Sequence, residues 1–128
     1  MTTIQLGDKT VELSERTEKA LHRNAGGIHV LLERIAETDS LIEKSKKHPE
    51  QAFNNVAHIT GYNIQLDRLR HAELNRSHYL EPTDKQRTEI ETTANQIHAI
   101  QEYFANKAKE LRVYDFAFQT SKARGKRK

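Results

Sequence analysis

The chain contains no cysteine, which excludes disulfides and thiolate chemistry and fits a reducing cytoplasm. No stretch approaches the roughly 20 apolar residues of a membrane span, and Met1 to Leu13 holds no apolar run of signal-peptide length. A soluble, cytoplasmic protein is expected. Proline occurs only at Pro49 and Pro82, and each reads as a boundary between helices rather than a kink within one. Hydrophobic residues are scarce, at 35% against 30% charged. A chain of 128 residues is sized for one core, and this composition leaves a compact monomer little apolar surface to bury. Long amphipathic helices meet that shortage, often with a second chain covering the apolar stripe.

Catalytic signatures are missing too. There is no glycine-rich phosphate loop, no GxSxG elbow and no cysteine nucleophile, and Gly26-Gly27 lacks the lysine and hydroxyl residue of a P-loop. No helix-turn-helix or finger spacing points to reading of duplex sequence. The seven histidines (His22, His29, His48, His58, His71, His78 and His98) are spaced wrongly for a common metal site. His22 and His29, like His71 and His78, stand two turns apart instead of one, so no metal and no cofactor is expected. Glu18–His22, His29–Glu33 and His98–Glu102 read as surface pairs one turn apart.

What is present is order along the chain. Thr3 to Leu13 alternates apolar and polar residues around Gly7-Asp8 and predicts a β-hairpin over residues 1–13. Ser14 is a helix N-cap with Glu15 and Glu18 behind it. That helix runs to Asn24, breaks at Gly26-Gly27, and resumes over Ile28 to Lys47. A heptad read across the break gives Leu21, Ala25, Ile28, Leu32, Ile35, Asp39 and Ile42, with Asp39 as a polar seam residue that could fix register. A third helix is predicted over Glu50 to Tyr79, with Phe53, Val56, Ile59, Tyr62, Leu66 and Leu69 on its buried face. Thr83-Asp84-Lys85-Gln86 is a capping box, and the fourth segment has the cleanest seam: Ile90, Ala94, Ile97, Gln101, Phe104, Ala108 and Leu111.

Beyond Leu111 the period changes. Val113 to Phe118 places Tyr114, Phe116 and Phe118 on one face of an extended segment, so a short strand is expected over residues 113–120. A disordered tail is expected over 121–128. The predicted fold is therefore mainly α: a hairpin, a helical bundle over residues 14–112 made of three long helices with a broken first arm, then the strand and the tail.

Charge divides unevenly. Lys122, Arg124, Lys126, Arg127 and Lys128 follow one another with no acidic residue between them. Setting them aside lowers the basic residues from 21 to 16 against 18 acidic ones, so the rest of the chain carries −2. A near-neutral body with a cationic end suggests a polyanionic partner. Lys44, Lys46 and Lys47 are explained by their place at a helix C-terminus. Asn54, Asn55, Asn63 and Asn75 suit either phosphate contact or a solvated face.

Aromatics followed at once by cations are what single-stranded nucleic acid needs: ring faces for bases and charge for phosphates. The candidate site is Tyr114, Phe116, Phe118, Lys122, Arg124, Lys126, Arg127 and Lys128. The expectation is a non-enzymatic, sequence-tolerant nucleic-acid-binding protein with single-stranded DNA favoured and RNA allowed. A homo-oligomer in the style of a phage or plasmid accessory protein is expected. The alternative is an oligomeric helical adaptor that modulates another protein, such as a polymerase, through exposed heptad edges, with the tail secondary; separately, the three aromatics could be ordinary core residues closing a small sheet.

Overall fold

The computed structural model describes the backbone of residues 2–79 and 81–126 and the side chains of residues 2–76 and 81–122. Strands β1 (Thr2–Leu6) and β2 (Lys9–Leu13) pair antiparallel with Ile4 opposite Val11. The two-residue turn needs a left-handed backbone at Gly7, where φ is 63°, a value glycine adopts without a Cβ clash. Ile4, Leu6 and Leu13 are buried in the common core, so the hairpin is stabilised by the helices it covers.

Four helices follow: α1 (Glu15–Asn24), α2 (Gly27–Lys47), α3 (Ala52–Tyr79) and α4 (Asp84–Lys126), with a single 3-10 turn at Pro49–Gln51 before α3. Ser14 caps α1, its Oγ accepting from the Thr17 N–H at 3.3 Å. Its own N–H donates to the Gln96 side chain on α4 at 2.9 Å, so the cap also docks α1. The predicted break after Asn24 is real, and the first arm is two separate helices. Gly26 and Gly27 both take positive φ, 81° and 86°.

The buried residues of α2 include Leu31, Thr38 and Ile42, whereas Leu32 is 46% exposed. Asp39 is 76% exposed and pairs with Lys107 of α4 at 3.2 Å. The expected seam through Leu32 and Asp39 is corrected by one residue, and Asp39 is a surface partner, not a buried register device. A similar slip opens α3: Ala52 is fully buried and Phe53 is 64% exposed, because at about 100° per residue Ala52 falls about 20° from Ile59 and Phe53 about 120° from it. From Ile59 through Tyr62, Leu66 and Leu69 the expected face is buried.

α3 and α4 form an antiparallel pair. Tyr62 meets Phe104 edge-on, ring centroids 5.4 Å apart. Nearer the connection, Gln101 donates to Asp67 at 3.0 Å and accepts from Arg70 Nε at 2.9 Å. α2 lies alongside both. Asn55 Nδ2 of α3 donates to Ser45 Oγ at 2.9 Å, and the Thr38 and Tyr103 hydroxyls share a hydrogen bond at 2.9 Å. The capping box forms reciprocally: Thr83 N–H to Gln86 Oε1 at 2.9 Å, and Gln86 N–H to Thr83 Oγ1 at 3.2 Å. All seven predicted seam residues of α4, from Ile90 to Leu111, are buried.

The C-terminal third departs from expectation. No strand forms over residues 113–120, and residues 121–126 are not an irregular tail: α4 continues without a break to Lys126. Its 43 residues span about 65 Å at 1.5 Å per residue. Three heptads of seam establish the helix upstream, and extending a formed helix adds a hydrogen bond for each residue fixed, whereas a strand would need an edge to pair with.

Candidate functional site

Helical geometry rearranges the predicted site. In a strand Tyr114, Phe116 and Phe118 would share a face; in a helix Tyr114 and Phe118 fall one turn apart and Phe116 turns away from both. Tyr114 is half-buried against the core, Phe118 is half-buried, and Phe116 stands 74% exposed. The expected three-ring platform is therefore not formed. Lys122 is exposed, Arg124 and Lys126 lie on the helix by their backbone, and Arg127 and Lys128 lie outside the described residues.

The structure gathers other cations at the same end. Thr38 on Tyr103 and Asp39 on Lys107 show that α2 and α4 run parallel, so both helices finish there. Lys44, Lys46 and Lys47 close α2 beside the stretch of α4 around Tyr114. Lys46 bonds Glu43 at 3.1 Å, and that hydrogen bond holds its ammonium above the usual lysine range. On α4 itself Lys109 and Arg112 are exposed. They share a helix face with Phe116, at a spacing of three and four residues, which places successive side chains one turn apart. From Leu111 to Lys128 the chain has one acid, Asp115, against six bases. Sequence reasoning passed over Lys109 and Arg112 because the extended reading ended the helix at this point. Continuing the 3.6-residue period through Phe116 would have found them.

No family model, curated protein or solved structure matches this chain.

Arginines at the opposite end have a structural task. Glu73 of α3 is 2% exposed, with Arg16 Nε at 3.0 Å, Arg23 at 3.8 Å and Arg76 at 3.9 Å. These residues adjoin a groove of about 1080 Å³ between α1 and the start of α4, which Glu15, Glu18 and Glu89 also line. Counting Lys19 and Glu73, four bases face four acids, so the groove has no surplus charge to attract an ion. Arg70 serves Asp67 and Gln101, and Asn55 serves Ser45. His29–Glu33 and His98–Glu102 form the expected pairs at 2.9 and 3.2 Å. Among the described residues no three His, Asp or Glu side chains come together as a metal site.

Groups in the packed body also shift their acidity. The hydrogen bond from His58 holds the Glu37 carboxyl below its usual range, aided by Arg34. Gln101 and then Arg70 do the same for Asp67. Burial pushes the Tyr62 phenol up to about 12, against the pull of Arg34, so this core tyrosine stays a neutral phenol near neutral pH.

Proposed function

We propose that the protein binds nucleic acid without catalysing a reaction, contacting phosphates through the C-terminal third of α4 and tolerating many sequences. The observation that carries this reading is the continuity of α4. Because the helix does not stop at Leu111, Arg112, Lys122, Arg124 and Lys126 are set on a scaffold rooted in the core, beside the lysines that end α2. Neutralising phosphates releases counterions and gives affinity with little sequence preference. Among the described residues no helix is long and apolar enough to cross a membrane, and a cytoplasmic location goes with the proposal.

The test is titration of fluorescent single- and double-stranded oligonucleotides at two salt concentrations, using the full chain and a chain ending at Thr120. Binding should weaken with salt, and the slope of log affinity against log salt should shrink by about 3.5 on truncation if the five lost cations each meet a phosphate of a single strand. Equal slopes would remove the C-terminal residues from the interface.

A second reading has its own observation. Leu32, Phe53, Ile64, Val113 and Phe116 are large apolar side chains 46–74% exposed, more than a small monomer needs to show. A helical adaptor that docks another protein, or a homo-oligomer, would cover them. Light scattering at micromolar concentration, with oligonucleotide absent and present, separates self-association from nucleic-acid binding.

A further inference from the structure

Phe53 and Phe116 lie on different helices, yet the register of α3 against α4 brings them level. Tyr62 meets Phe104; nine residues before Tyr62 is Phe53, and nine after Phe104 is Val113, one turn from Phe116. Their direction around each helix also agrees. At about 100° per residue, Phe53 points roughly 40° from Asp67, which reaches across to Gln101, and opposite Tyr62, whose ring lies under Arg34 of α2. Phe116 points roughly 60° from Gln101 and opposite Lys107, which reaches Asp39 of α2. Both rings therefore flank the outer groove of the α3–α4 pair, on the side away from α2, with helix axes about 8–10 Å apart.

The surroundings of this groove select its occupant. Phe53 and Phe116 are 64% and 74% exposed, and Val113, one turn before Phe116, is 65% exposed. Lys109, Arg112, Phe116 and Thr120 fall within roughly one 100° sector of α4. On α3 no carboxylate precedes Asp67, and on this part of α4 Glu110 and Asp115 are turned about 100–120° from Phe116. A second copy would bring the same positive charge against itself. Two exposed rings, with Lys109 and Arg112 beside Phe116 and Glu50 engaged by His48 at 3.4 Å just before Phe53, match the bases and phosphates of an unpaired strand, whose bases are open to stacking, unlike those of a duplex.

We infer that Phe53 and Phe116 form a two-ring stacking site for single-stranded nucleic acid across the outer α3–α4 groove, with Lys109 and Arg112 on the phosphates. This rests on the nucleic-acid reading above and adds the strand preference that the helical Tyr114 and Phe118 no longer supply.

The experiment titrates the full chain with an oligothymidine strand carrying one 2-aminopurine, and with the corresponding duplex. Wild type is compared with Phe53→Ala, Phe116→Ala, and the Leu and Tyr variants at both positions; thermal melts monitored by circular dichroism report the fold. Each Ala or Leu variant should bind the single strand about tenfold more weakly, leave duplex affinity within about twofold and lose the 2-aminopurine quench, whereas Tyr should restore single-strand affinity and the quench. Wild-type binding that survives every substitution overturns this site and leaves the basic helix standing. Leu variants that bind as wild type show that apolar area, not stacking, is used, and overturn it as well. If wild type binds neither strand, this site and the proposed function fall together.

Discussion

Ile90 to Leu111 and Arg112 to Lys126 belong to one helix, yet they live in different surroundings. The first stretch is gripped by α1, α2, α3 and the hairpin, and its seam is dry. Past Leu111 no described side chain of α4 is fully buried; Tyr114, Asp115, Phe118 and Thr120 are half-covered and the rest face solvent. The backbone conformation is the same in both. What changes is the source of stability: tertiary packing upstream, helix propagation from an anchored segment downstream. A segment that the core does not need is free to carry charge and exposed rings.

The contrast can be broken most forcefully at Phe104. Phe104→Ala removes a ring 1% exposed and should lower the free energy of unfolding by about 3–5 kcal/mol in urea titration. Phe116→Ala, twelve residues on in the same helix, should stay within about 0.5 kcal/mol. Comparable losses from the two would mean that the C-terminal third is packed after all. Arg16→Ala tests the body at its polar anchor. It leaves the buried Glu73 carboxylate with only its two longer arginine contacts, and should cost about 3 kcal/mol, the low end for breaking a buried pair. Oligonucleotide affinity should be unchanged.

A smaller effect comes from pH. Glu37 and Asp67 have folded-state pKa values below their unfolded ones. Their contribution is therefore complete above the ordinary carboxylate range and is lost as pH falls through the depressed folded values. Both groups are more than 40% exposed, so solvent screens the gain. Urea midpoints taken from neutral pH down to about pH 3 should fall, and Asp67→Asn with Glu37→Gln should flatten the descent. Both carboxylates sit in the packed body, so the helicity of residues 112–126 should follow the midpoint rather than melt separately.

Where the sequence carried a long unbroken period, it could be read residue by residue, as in α4 from Ile90 to Leu111. Local polar chemistry was equally legible: the Thr83–Gln86 box and the Ser14 cap are formed as their side chains dictate. Single positions were misread where two neighbouring residues competed for one face: α2 buries Leu31 and Thr38 instead of Leu32 and Asp39 while keeping Ile42, and α3 buries Ala52 instead of Phe53, which stands about 180° from Tyr62. The segment after Leu111 was misread for another reason. Tyr114, Phe116 and Phe118 alternate as a strand does, but Tyr114 and Phe118 also stand one helical turn apart, and a short aromatic run satisfies both periods. Which period wins depends on whether an upstream helix can propagate, a property of the whole chain and not of the six residues. The candidate site inherited that error: Tyr114, Phe116 and Phe118 were grouped as one face, while Lys109 and Arg112 join the face of Phe116 only when the helical period is carried past Leu111.

The uninterrupted course of α4 has a mechanical consequence. From Leu111 to Lys126 the rod extends about 22 Å at 1.5 Å per residue, so a tilt of roughly 10° at its root sweeps the tip through about 4 Å. Force applied at the tip is returned to the Phe104–Tyr62 contact without a slack joint in between. Whatever seizes the far end of this lever therefore also tugs on the centre of the fold.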